Sequence, residues 1–377
     1  MRRTDYARVG PWETFKRLCR LLAPSPPRVP PDLSRWDWET FVHQASVHLV
    51  TPALAMPLDR WATAPAEVRQ YFIAFHDLND KRNKTALGAV SEMLAGLREI
   101  GVEAIALKGV ASLIAGLYDD PADRFMGDVD ILVRPAQISK AAARLRELGY
   151  TWTNSEEPAH RWVVPPQRGP THHLEMQRHL RTGVGVELHH GLFAAEFDEV
   201  LPAADVFDGA AKVEWNGQNI FIPSPTHRLV HNIAHDQLHH SRYSRGLIQL
   251  RQLRELALIL SRHGGTIAWP EVEERFDRVG QAPVLRRQAA QCFALMGLRM
   301  PIEQTSPEEA ESLLRARMTE NLSRHAVRRA VTRKLGRFYL DSFAAQPALA
   351  LNLLNPAWWP QRIRHVRDYL RYQRLDN

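Results

Sequence analysis

The chain has two cysteines among 377 residues, Cys19 and Cys292. One pair builds neither a disulfide framework nor a Cys-rich zinc site, and such sparse use of cysteine fits a reducing compartment. No segment approaches the roughly 18–20 unbroken apolar residues of a membrane-spanning helix. The longest candidate, around Ala348–Leu354, is broken by Asn352. The basic start Met1-Arg2-Arg3 is not followed by an apolar run and a small-residue cleavage site. A secretory signal is therefore not expected, and these absences together predict a cytoplasmic protein. Walker A, GxGxxG, HExxH and Cys-x-x-Cys patterns are also missing. Support for P-loop, dinucleotide-binding and common zinc chemistries falls accordingly.

What is present is an ordinary globular composition, 45% hydrophobic and 24% charged. Lys and Arg number 49 against 42 Asp and Glu, a net charge of +7. That balance permits a nucleic-acid partner without indicating one, because the acids dilute the field. The length corresponds to roughly two to three domains.

The pattern along the chain divides in three: a helical region 1–95, a core 96–223 with strands, and a helical region 224–377. Helical spacing marks Glu13–Leu22, Trp36–Leu49 and a long stretch from Pro65 to Ile100, read as one helix or two end to end. Apolar runs at Val102–Leu107, Val129–Val133 and Tyr150–Thr153 read as strands, with helices over 110–117 and 136–148 between them. Strands alternating with helices predict an α/β or α+β core. His172–Met176 and Val184–Leu188 alternate and read as a strand pair. Asn216-Gly217 joins two further runs as a hairpin. Helices are expected over 225–240, 245–262, 269–279, 283–296, 307–321, 325–338 and 361–372. The tail Gln361–Arg374 that holds the last carries five arginines around an apolar stripe, a pattern that more often docks by its stripe than grips RNA.

The informative segment is Leu107-Lys-Gly-Val-Ala-Ser112, then Arg124-Phe-Met-Gly-Asp-Val-Asp130-Ile-Leu-Val133. Asp128 and Asp130 are two apart at the start of a strand, so both point to one face. Two carboxylates that close repel unless a cation lies between them, and a divalent ion serves that purpose. Lys108-Gly109 stands at a strand-to-helix junction upstream. There backbone N–H groups, a small residue and a point charge suit phosphate. Ser112 follows on the same helix, and Arg124 is placed to clamp a phosphate or the carboxylate pair.

The order Lys-Gly … Arg … Asp-x-Asp, with Leu-Gly-Tyr150 after the next helix, resembles bacterial nucleotidyltransferases of the DNA-polymerase-β-like superfamily. It is also similar to the AbiEii-type nucleotidyltransferases. The resemblance is close over 102–153 and looser over 171–193 and 223–260. Its commonest turn is Gly-Ser, where this chain has Lys108-Gly109. The resemblance implies a polymerase-β-like core with a small mixed sheet. It also implies an NTP donor and two metal ions, Mg²⁺ or Mn²⁺, held by Asp128, Asp130 and a third carboxylate. Glu187 in Val-Glu-Leu-His189 matches the third position, with Glu175 as rival. The implied reaction moves a nucleoside monophosphate to a hydroxyl or amine and releases pyrophosphate. The acceptor would be a small molecule, a peptide or protein, or tRNA.

His231, His235 and His239 recur every four residues and would share a helix face, with His240 beside them. Together with His189 they read as structural, or as an acceptor or accessory site. A His235-Asp236 metal phosphohydrolase is the rival enzyme, and a nucleotide-binding regulatory protein without turnover is the rival from another class.

Overall fold

The structure is a computed structural model that describes residues 10–26, 37–60, 64–152, 173–177, 185–193 and 195–318. The helices expected over 325–338 and 361–372 lie outside the described residues.

Four helices open the chain: α1 (Pro11–Leu22), α2 (Trp38–Val47), α3 (Ala55–Asp59) and α4 (Ala66–Glu99). Asp37 caps α2, accepting from the Thr40 backbone N–H and from its hydroxyl. Such a cap is worth about 1 kcal/mol. The stretch from Pro65 forms one helix of 34 residues, about 50 Å long. Its buried stripe runs through Phe72, Asn79, Asn83, Ala86, Val90, Met93 and Leu97.

The core alternates β1 (Ala104–Ala106), α5 (Lys108–Ile114), β2 (Asp128–Val133), α6 (Ile138–Glu147), β3 (Thr151–Trp152), β4 (His173–Gln177) and β5 (Gly185–His189). After α7 (Ala203–Asp208), the hairpin β6 (Ala211–Trp215) and β7 (Gln218–Ile222) turns through Asn216 and Gly217, both at positive φ. The seven strands of the described residues join one sheet in the order β3-β4-β5-β2-β1-β7-β6. It is mixed: β2 runs parallel to β5 and β1 parallel to β7, the other pairs being antiparallel. The α+β expectation with a mixed sheet and flanking helices therefore describes the chain. Because β1 and β2 are antiparallel, α5 does not make a parallel crossover. Val129, Ile131, Leu132 and Val133 are fully buried, which pins β2 at the sheet's centre.

Then come α8 (Pro225–Ala234), α9 (Arg242–Arg245), α10 (Leu250–His263), α11 (Trp269–Arg278) and α12 (Ala282–Met296), with helix again over 307–318 at the end of the described residues. Ser224 caps α8 by accepting from the His227 N–H, and Pro225 sits at its first turn. Every α8 residue from Thr226 to Ala234 is buried, so this helix runs through the interior, packed on α10 and α5. Two expectations need correction. The helix expected to reach His240 leaves α geometry at His235, where a π-helical turn spans His235–His239. The helix expected over 245–262 is broken: Gly246 adopts φ +63 and α10 begins only at Leu250. No helix of the described residues is long and apolar enough to cross a membrane.

Candidate active site

The parallel register of β2 with β5 pairs Asp130 with Glu187 and Asp128 with Gly185. Register partners project to the same face, so the pairing brings two carboxylates together that are 57 positions apart in sequence. Lys108, at the first position of α5, reaches the same place. Its Nζ lies 2.7 Å from Asp130 Oδ1 and 3.6 Å from Glu187 Oε2. His189, two residues after Glu187, puts Nε2 at 2.8 Å and 3.3 Å from those same two oxygens. An ionised carboxylate only accepts, so the His189 Nε2–H donates to Asp130. Ligand atoms of Asp130, Glu187 and His189 all lie within 4.8 Å of one another, a spacing that could hold a metal ion.

The electrostatics follow from burial and opposed charge. Asp130 is 1% exposed. Burial alone would raise its pKa, but Lys108 and His189 outweigh it and hold the carboxyl well below the usual range. Burial pulls the Lys108 ammonium down, and Asp130, Asp128 and Glu187 together pull it further up. Asp128 is half-buried and differs. Burial, then Asp130 and Glu187, push it up to about 6 against Lys108 and Arg251. Lys108 itself holds φ +46, a left-handed conformation uncommon outside glycine. Gly109 follows because a Cβ there would come within 2.9 Å of Met126 Cγ and 3.5 Å of Arg124 Cζ.

Arg124 and Ser112 face a neighbouring centre. Arg124 Nε donates to Glu255 Oε2 on α10, and the Tyr118 hydroxyl donates to the same oxygen at 3.2 Å. Burial would raise the Glu255 pKa, but Arg124, then Arg251 and a Ser112 hydrogen bond, lower it overall. The sequence reading did not include Glu255. Asn79 donates to the carbonyls of Ala122 and Arg124, and Asn83 to those of Pro121 and Arg124, at 2.6–3.1 Å. These amides staple the turn that carries Arg124. Two amides on an otherwise apolar stripe were the available signal. Arg82 and Arg251 also act on Asp128. Arg82 donates to the Gly127 carbonyl at 3.1 Å and Arg251 to that of Phe125 at 3.3 Å.

The histidines gather beside this site. Lys108, His189 and Asp130 all act on His231, whose pKa is lowered to about 3 by burial and then by Lys108. The π turn places both His239 and His240 against His235, with ring centroids 5.2 Å and 4.6 Å away. Asp236 is engaged by Arg242 and Gln237, and neither it nor His235 belongs to a metal-capable group among the described residues. Glu175 pairs with Glu187 across β4 and β5, but its side chain lies outside the described residues.

Two carboxylates and a histidine on central strands, met by a lysine from the helix start and largely shielded from solvent, form a polar centre of the kind enzymes use for charge-stabilised transfer. The chain matches the family described as uncharacterised nucleotidyltransferase over residues 34–297, and it belongs to that family. Comparison with curated proteins gives no match. Among solved structures it is similar to the antibiotic-resistance factor ANT(2'')-Ia, at 12% identity over 52% of this chain and 91% of that one. The TM-score of that superposition is 0.36, too low to carry an argument.

Proposed function

We propose that this protein is a metal-dependent nucleotidyltransferase that moves a nucleoside monophosphate from an NTP to a hydroxyl or amine and releases pyrophosphate. The observation that supports it is the convergence of Asp130, Glu187 and His189 within 4.8 Å, beside Lys108 and the half-buried Asp128. The donor chemistry fits a divalent cation: two carboxylate oxygens and an imidazole nitrogen. Asp128, Asp130 and Glu187 would hold Mg²⁺ or Mn²⁺, with His189 as a further ligand. Such ions, when bound, stabilise the attacking and leaving oxygens of a displacement at phosphorus.

The protein's own groups do the rest. Lys108 offers an ammonium to the triphosphate, and Gly109 lets the chain approach it closely. Arg124, paired with Glu255, and the turn that Asn79 and Asn83 staple give the surroundings of Asp128 a fixed framework. Glu187 is placed to take the acceptor proton. The histidines at 189, 231 and 235 line the adjoining wall, where an acceptor would lie. Polymerase-β-like kinship and the AbiEii-type likeness belong to this same reading, with residues 96–223 as the catalytic core between helical regions.

The test is pyrophosphate release from each of the four NTPs with Mg²⁺ or Mn²⁺, with and without fractionated lysate as acceptor source. Metal-dependent release that disappears in the Asp128→Ala/Asp130→Ala double variant supports the reading. Nucleotide binding that is identical in both proteins, with no metal-dependent product from either, refutes it and leaves a regulatory nucleotide-binding role.

A further inference from the structure

Asp130 Oδ1 and Glu187 Oε2 are each approached by the same two nitrogens, Lys108 Nζ and His189 Nε2. The oxygens that would ligate a metal ion are therefore the ones the Lys108 ammonium already neutralises. We propose that Lys108 is a tethered counter-cation that exchanges with the divalent metal, so that metal and nucleotide bind as a coupled pair. This inference rests on the metal-dependent reading above and concerns the order in which the site is assembled.

Three features support exchange over simple coexistence. The first is charge. An ion bound to Asp130 Oδ1 and Glu187 Oε2 would lie within a few ångströms of Nζ, and a dication and an ammonium that close repel strongly at low dielectric. The second is mobility. Lys108 has a flexible four-carbon stem and an 18% exposed side chain, so its ammonium has a path outward, whereas the His189 side chain is fully buried and stays. The third is a buried polar atom near the group. His231 is 4% exposed, and its Nε2 has no hydrogen-bond partner among the described residues. It also lies close enough to Asp130 and Lys108 to respond to both. A buried, unpartnered nitrogen near Asp130 and Lys108 marks a place where a further ligand belongs.

Exchange has a direction. In the resting site the ammonium screens the carboxylates and keeps metal affinity low. Anionic phosphate oxygens of the nucleotide draw the ammonium toward themselves and free Asp130 and Glu187 for the ion. By linkage, the metal then raises nucleotide affinity by the same factor.

The experiment measures Mn²⁺ binding to the full-length protein by electron paramagnetic resonance of the free ion. It compares wild type, Lys108→Met and Lys108→Arg, with and without a non-hydrolysable α,β-methylene NTP analogue. Metal held by the analogue in solution is subtracted, and thermal melts verify folding. Without the analogue, Lys108→Met is expected to bind Mn²⁺ at least tenfold more tightly than wild type, and Lys108→Arg no more tightly. With the analogue, wild type is expected to gain at least tenfold and Lys108→Met much less. Equal or weaker binding by a folded Lys108→Met overturns the exchange. Should that variant not fold, wild type decides alone: no gain on adding the analogue overturns it. Absence of Mn²⁺ binding in every sample, analogue included, overturns the metal-dependent reading as well.

Discussion

Asp130 and Glu187 stand opposite each other across the parallel pairing of β2 and β5, and each is approached by both Lys108 and His189. On the proposed reading both carboxylates would bear on the charge that the site handles, Asp130 more closely held than Glu187. Asp130→Asn and Glu187→Gln are each expected to lower pyrophosphate release by about a hundredfold or more, the scale of losing one preorganised electrostatic partner. Glu214→Gln, on the remote strand β6, should leave it unchanged. Near-normal turnover in either site variant would remove these residues from the chemistry.

On the proposed metal-dependent reading, His189 would give the donor set a nitrogen where hard cations prefer oxygen. Imidazole suits transition metals better than Mg²⁺. Wild type is therefore expected to bind Mn²⁺ more tightly than Mg²⁺, and His189→Asn to narrow that preference by about tenfold or more, in line with the usual effect of disturbing metal-site histidines. Calorimetric titration with each ion gives the ratio. An unchanged ratio in the variant would place His189 outside the ligand set and leave it as Asp130's hydrogen-bond donor.

Glu255 neutralises Arg124 inside the protein, and both side chains are under 10% exposed. Removing one partner of a buried ion pair leaves an uncompensated charge and typically costs about 3–5 kcal/mol. Glu255→Gln is expected to show a loss of that order in urea unfolding. Replacing Asn79 and Asn83 by alanine should cost about 1–3 kcal/mol per group left unsatisfied. The amide variants should also depress turnover more than their stability loss explains, because the turn carrying Arg124 loses its staple. If turnover merely tracks the folded fraction, the staple is structural only.

His48 makes stability depend on pH away from the site. Its Nδ1 accepts from the Leu250 N–H at 3.4 Å, and burial, then Arg242 and His43, lower its pKa to about 3. The unfolded chain holds this proton up to the ordinary value near 6.5, so between those values the unfolded state binds more protons. The contribution is complete above about pH 6.5 and is lost as pH falls toward 3. Its limiting slope is about 1.4 kcal/mol per pH unit for one proton. His48→Leu is expected to flatten the stability profile between pH 4 and 6.5 relative to wild type. Parallel profiles would show that His48 does not couple folding to protons.

Much of the architecture was legible locally. The apolar run at Val129–Val133, the Asn216-Gly217 turn and the Ser224-Pro225 helix start each act within a few residues, so neighbours in sequence are enough to read them. Asp130 and Lys108 could be nominated from type and spacing, and β5 supplied Glu187 through its alternation. The rest depends on pairings across long separations. Glu255 meets Arg124 from 131 residues away, and no local pattern marks it. Asn79 and Asn83 keep the helical period of the buried stripe, so spacing alone does not show that their amides hold a turn more than 35 residues away. The π turn at His235–His239 changes which histidines meet without interrupting the hydrophobic pattern. Four-residue spacing therefore predicted one shared face and missed His240 against His235.

The two cysteines have a practical consequence. Cys19 on α1 and Cys292 on α12 are fully buried, and burial pushes both thiols up, Cys292 to about 12. Neither offers a thiolate to solvent near neutral pH, so maleimide and methanethiosulfonate reagents will pass the native chain by. A single cysteine introduced at an exposed position, such as Phe75 on α4 or Phe221 on β7, would then carry a fluorophore or spin label alone. Distances between two such labels could follow the core and the long helix through a catalytic cycle, with no native thiol to remove beforehand.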